Sequence, residues 1–196
     1  MKIAQTYLTK IASWQVQYNP LAQIARREIE DSIIKNVTPG ETEFVLNNSK
    51  KNCNGVKPVK EMTYAYLVAH GWEREKPLAY LSSIDKGGPI DAYKLFQSDD
   101  RIFRVGMEFE TGNIGSSYRS MNKLCLGIQY GDFDMGILMM SMKKTAYYLT
   151  DRVSNYEEAA PYFSRADQYA MIFYGFDADR FDPTAPLLPK GKDGNA

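Results

Sequence analysis

Three acidic side chains fall in two short segments that read as neighbouring strands: Asp91 in KGGPIDAYK (86–94), and Glu108 and Glu110 in GMEFETGN (106–113). Glu108 and Glu110 are two residues apart, so in a strand both leave the same face, roughly 6–7 Å apart along it. Asp91 precedes Glu108 by seventeen residues. That separation suits an antiparallel return on the adjacent strand, roughly 5 Å away. Ile102, Phe103, Val105, Met107 and Phe109 surround the two glutamates and predict a largely buried strand. Buried carboxylates are unfavourable unless something pairs them. Oxygen ligands converging from rigid strands are how proteins hold Mg²⁺ against a phosphodiester. Alternate acids also mark the wet face of an edge strand, and spacing alone leaves both readings open. No P-loop, GxGxxG or CxxC motif offers a competing chemistry.

Other polar residues have an ordinary reading beside a functional one. Glu75, in WEREKPL, falls where a helix is expected to begin, and its charge would offset the helix dipole. Asn113 follows the acidic strand and precedes a helix that carries Arg119, so a capping Asn and a surface Arg are the simple expectation. Facing a major groove, the same pair would read adenine and guanine. Asp151 and Arg152, in LTDRVSN, are either a surface ion pair or a reader of cytosine and guanine.

The elements that must position these residues follow from periodicity. Residues 3–36 read as helical, with Ile3, Tyr7, Ile11 and Trp14 on one stripe and Pro20 opening a second segment. A polar, turn-rich stretch follows over 37–57, with a short strand at 44–46. Helix is predicted near 59–68 and again after Pro77. Strands are expected at about 90–96 and 102–110, and a helix over 116–129. The nearly continuous apolar run 133–142 suggests a central strand buried on both faces. A short helix at 155–163, a last strand at 170–176 and an extended tail from about 182 complete the chain. This order predicts a single α/β domain over 1–196, with a mixed central sheet flanked by helices.

Composition narrows the function classes. Hydrophobic content of 44% and aromatic content of 13% belong to a folded globular chain. The single histidine, His70, argues against a histidine-rich zinc site or a His-dependent hydrolase. Two cysteines are too few for a disulfide framework, and with no long apolar run the expectation is a cytoplasmic protein away from membranes. The balance of 24 basic and 24 acidic residues argues against a generic DNA-coating protein, which would normally be basic. A sequence-specific enzyme remains compatible, because acids at a metal site offset a basic cleft.

Longer strings carry more information than any of these spacings. KNCNGVKPVKE (51–61), REKPL (74–78), KGGPIDAYK (86–94), RVGMEFETGN (104–113), RSMNKL (119–124), AYYLTDRVSNYEE (146–158) and PLLPKGKDG (186–194) together resemble the BamHI family of type II restriction endonucleases. The likeness runs from about residue 44 to the C-terminus, while the first forty or so residues share only helical character. It implies the PD-(D/E)xK restriction endonuclease fold, a homodimer, Mg²⁺ as cofactor, and cleavage of double-stranded DNA at the palindrome GGATCC after its first G. Asp91 and Glu108 match metal-ligand carboxylates, with the Phe109 carbonyl beside them. Glu110 stands where most such nucleases have lysine and matches the general base. Glu75 matches a further acid at the metal, against its local reading. Asn113, Arg119, Asp151 and Arg152 match base-reading positions, and Asp193 and Gly194 lie in a tail that reaches the minor groove. Lys60, Lys123 and Lys143 are candidates for phosphate contact. Gly115 replaces a serine of the family, which removes one hydroxyl near the DNA. The alternatives are an endonuclease with a different GATC-centred site and a DNA-binding protein without catalysis.

Overall fold

Six strands form one mixed sheet in a computed structural model that describes residues 1–83, 88–149 and 154–190. In chain order they are β1 (Lys2–Leu8), β3 (Glu73–Lys76), β4 (Ile90–Gln97), β5 (Ile102–Glu110), β6 (Met135–Ser141) and β7 (Met171–Asp177). The spatial order is β1-β7-β6-β5-β4-β3, and β2 (Val45–Leu46) pairs separately with β8 (Arg180–Phe181). The β5–β6 and β6–β7 pairs are parallel, and the outer pairs are antiparallel. Strand β6, MGILMMS, is buried throughout, as a central parallel strand covered on both faces requires.

Helices α1 (Lys10–Tyr18), α2 (Pro20–Ile34) and α3 (Lys57–Ala69) cover one face. There Ala25, Ile29, Ile33, Val59 and Leu67 join Val105, Met107 and Phe109 in one core. Helix α4 (Ile114–Gln129) covers the other face, where Met121 and Leu124 meet Leu138 and Met140. Two shorter helices, α5 (Lys143–Tyr148) and α6 (Tyr156–Ala159), and a 3₁₀ turn at Ala160–Ala166 follow. Alternation along β5 therefore turns its odd-numbered residues to α2 and α3, and Gly106, Glu108 and Glu110 to the α4 side.

Two segments differ from the periodicity reading. The first is Lys2–Leu8, which is a strand antiparallel to β7; the helix begins only after Thr9, whose Oγ1 accepts from Ala12 N at 3.3 Å. Ile3 and Tyr7 are four apart, a spacing that keeps one face in a strand as well as in a helix. The second follows Gly71. Glu73–Lys76 is an edge strand paired with β4, and after Pro77 only a 3₁₀ turn forms at Leu81–Ser83. Glu75 thus lies in a strand and not at a helix start.

Candidate active site

The ladder between β4 and β5 stops at the Ala92–Met107 pair. One step further, register would set Asp91 opposite Glu108. Instead the Asp91 carboxylate enters the gap and its Oδ2 accepts from the Phe109 amide at 2.9 Å. On the other side of β4 the pairing with β3 includes Arg74–Ala92 and Lys76–Ile90 but skips Glu75–Asp91. At that skipped position Glu75 takes a left-handed φ of 47°, a conformation that is uncommon outside glycine. The sheet therefore opens on both sides of Asp91, with a carboxylate at each place along the break: Glu75, Asp91 and Glu108.

Glu108 and Glu110 leave β5 toward α4 and are buried. Ser120, on the first turns of α4, bridges them: its Oγ donates to Glu110 Oε2 at 2.8 Å and lies 3.4 Å from Glu108 Oε2. Glu110 Oε1 accepts from the Gly112 amide. A Cβ at Gly112 would lie 2.8 Å from that oxygen and 2.9 Å from the Ser116 side chain, so the close approach requires glycine. Glu108 is held differently. Lys123 Nζ lies 2.5 Å from its Oε1, a short charge-assisted pair between two largely buried side chains. Burial, reinforced by the charge of Asp91 and opposed by Lys123, pushes the Glu108 carboxyl up to about 7.

Two residues of α3 close the site from the opposite face. Lys60 Nζ lies 3.6 Å from Asp91 Oδ2. The Tyr64 hydroxyl is buried beside the Asp91 carboxylate. Burial first, and then the Asp91 charge, push it well above the ordinary phenol range. Sequence reasoning did not find Tyr64 or Ser120. Ser120 left one trace, a small polar residue between Ser117, Met121 and Leu124 on the inward stripe of α4.

The donor set suits a hard cation. The ligands on offer are carboxylate oxygens, and one of them, Glu108 Oε1, is buried against a cationic partner, the Lys123 ammonium. Among the described residues no three acidic, histidine or cysteine side chains gather into a closed cage. Mg²⁺ does not need one, since it is held by one or two carboxylates, retained waters and substrate phosphate. Asp91 and Glu108 are the two carboxylates that could fill that role. Glu75 is exposed, and its side chain is not drawn into the buried group.

The expected DNA-reading residues divide in two. Asn113 is the N-cap of α4, with Oδ1 accepting from Ser116 N at 3.1 Å, so its capping role is real. It is exposed, as is Arg119 on the same helix. At Gly115 a Cβ would lie 3.1 Å from that capping oxygen. Asp151, Arg152, Asp193 and Gly194 lie outside the described residues. Among the described residues, no helix is long and apolar enough to cross a membrane.

Comparison with known proteins supplies the context for this geometry. The family model for restriction endonuclease BamHI matches residues 1–195, so the likeness extends through the N-terminal strand and helices, further than the motif strings indicated. The chain is 46% identical over 197 residues to the type II restriction enzyme BamHI of Bacillus amyloliquefaciens, covering 99% of this chain and 92% of that one. It is 35% identical over 175 residues to the type II restriction enzyme OkrAI of Oceanobacter kriegii, covering 86% and 87%. Restriction endonuclease BglII, solved in complex with a DNA 16-mer, superposes with a TM-score of 0.66 over 91% of this chain and 79% of that one. At 14% identity that likeness concerns the fold alone, and it matches the mixed six-stranded sheet flanked by helices. The sequence relationships are enough to place the chain in the BamHI family of type II restriction enzymes, which are site-specific deoxyribonucleases.

Proposed function

We propose that this enzyme is Mg²⁺-dependent, acts as a homodimer, and hydrolyses double-stranded DNA at GGATCC after the first G, leaving a 5′ overhang. The observation that carries the chemistry is the break in the sheet at Asp91, which brings that carboxylate beside Glu108 with Glu110 next on the same face. Asp91 and Glu108, with the Phe109 carbonyl, would hold the cation, and Glu75 would approach from β3. When bound, Mg²⁺ stabilises negative charge on the phosphate and on the departing 3′ oxygen.

The side chains divide the remaining work. Glu110, fixed by Ser120 and the Gly112 amide, is placed to accept the proton of the attacking water. Lys60 contacts phosphate and contributes to a steep loss of affinity with salt. Asn113 and Arg119 present base-reading groups from the exposed start of α4, with Asp151, Arg152, Asp193 and Gly194 as further readers.

A palindromic site calls for two-fold symmetry, each subunit reading one half and cutting one strand. The candidate subunit contact is the α4 face beside the turn at Ala160–Ala166, where Tyr118, Leu126, Tyr162 and Tyr169 line a groove together with Asn122 and Arg165.

Digesting a plasmid in Mg²⁺ and sequencing the fragment ends tests the specificity. Ends at G/GATCC are expected. Other ends sharing GATC would replace the site but keep the chemistry. Site-specific binding with no cleavage in Mg²⁺ would mean catalysis has been lost, an outcome that the intact Asp91, Glu108 and Glu110 weigh against.

A further inference from the structure

The two lysines nearest the acids are engaged with the oxygens that a metal would use. Lys123 comes from the middle of α4 and reaches two acceptors at once. Its Nζ lies 2.5 Å from Glu108 Oε1 and donates to the Pro89 carbonyl at 2.8 Å. The side chains of Lys123 and Glu108 are only 15% and 7% exposed, so the pair is weakly screened. The Glu108 contact is a short charge-assisted pair, and the Pro89 carbonyl is a second, neutral acceptor for the same ammonium. An ammonium held in this way can give up Glu108 while staying tethered to the loop just before β4. Lys60 mirrors the arrangement at Asp91, at a longer 3.6 Å.

A hard cation bonds a carboxylate oxygen at about 2.0–2.1 Å. The Lys123 ammonium stands close enough to Oε1 to obstruct that approach and to repel the incoming charge. We propose that Lys123 is a placeholder cation for Glu108: a divalent ion and the ammonium compete for one oxygen, and DNA favours the ion by offering the freed ammonium a phosphate. Lys123 is thus a positioning residue that links metal affinity to DNA occupancy. The inference rests on the reading of Asp91 and Glu108 as metal ligands.

Calorimetric titration of Mg²⁺ into the full-length protein at pH 8.5 tests it without relying on cleavage. Lys123→Gln keeps a donor within reach of Pro89 and removes the charge. It should bind Mg²⁺ on the order of tenfold more tightly than wild type without DNA. Lys123→Arg restores the charge and should return the affinity to near the wild-type value. Adding the cleaved product duplex, which supplies phosphate without turnover, should tighten Mg²⁺ binding by wild type more than by Lys123→Gln. Lys123→Met, tested in parallel, guards against a folding defect peculiar to one substitution. Equal or weaker Mg²⁺ binding by the neutral variants, or tightening in Lys123→Arg as well, would overturn the proposal. If no form takes up Mg²⁺ with or without duplex, the metal-ligand reading itself falls, and the placeholder with it.

Discussion

Strands β5 and β3 both carry acids expected at the metal, and they hold them in opposite ways. β5 lies inside the sheet between β4 and β6, and Glu108 and Glu110 are 5% and 8% exposed. β3 is an edge strand of four residues, EREK, and Glu75 stands exposed on it with a left-handed backbone. On β5 a carboxylate is costly, so each oxygen is met by Ser120, Gly112 or Lys123, and Glu108 is shifted up to about 7. On β3 water solvates the charge and nothing need fix it. The core strand therefore offers rigid, partly desolvated carboxylates, while the edge strand offers an exposed one that nothing in the fold anchors.

Three substitutions probe this contrast. The largest effect is expected at Asp91, whose carboxylate fills the gap in the ladder. Asp91→Asn should lower single-turnover cleavage by about 10²–10⁴-fold, a loss on the scale of removing a positioned catalytic group. A loss below tenfold would deny the ladder break its role.

Glu108→Gln separates folding from function. The folded protein holds the Glu108 proton more tightly than the unfolded chain, whose carboxyl has its ordinary value of 4.5. This group's contribution to stability is therefore fully present below about pH 4.5 and lost as pH rises through about 7. Glutamine removes the buried charge, at the expense of the Lys123 partner. In urea denaturation at pH 8.5 the variant should be more stable than wild type by roughly 1–2 kcal/mol, with the gain vanishing near pH 4. A pH-independent difference would show that burial does not dominate at Glu108.

The smallest effect belongs to the edge strand. Glu75→Gln should slow cleavage by about tenfold or less, because an exposed charge is screened. A loss equal to that of Asp91→Asn would erase the distinction between the strands and make Glu75 an equal ligand.

The same contrast explains what the sequence could reveal. Strand β6 is a nearly continuous apolar run and β5 alternates large apolar residues with polar ones, patterns that a buried sheet satisfies, so Asp91, Glu108 and Glu110 could be placed on neighbouring strands from spacing. The edge strands gave no such signal. Glu73–Lys76 contains no apolar residue at all, and the Ile3–Tyr7 spacing fits either period. Tyr64, Ser120 and the pairing of Lys123 with Glu108 arise from contacts between α3, α4 and the sheet, which local pattern does not encode. Glu75 shows the limit most clearly: short-range signals made it a helix-start acid, family strings made it a metal ligand, and the fold puts it on an exposed edge opposite Asp91.

Glu110 offers the most direct measurement, because it is the acid given the proton-transfer role and its two oxygens are anchored within the chain. Glu110→Lys should be compared with wild type for binding to a duplex containing GGATCC and for strand cleavage of that duplex in Mg²⁺. Site binding should stay close to wild type, with cleavage abolished or nearly so. Cleavage at the wild-type rate by a lysine-bearing enzyme would contradict this, and would move the proton transfer to another group.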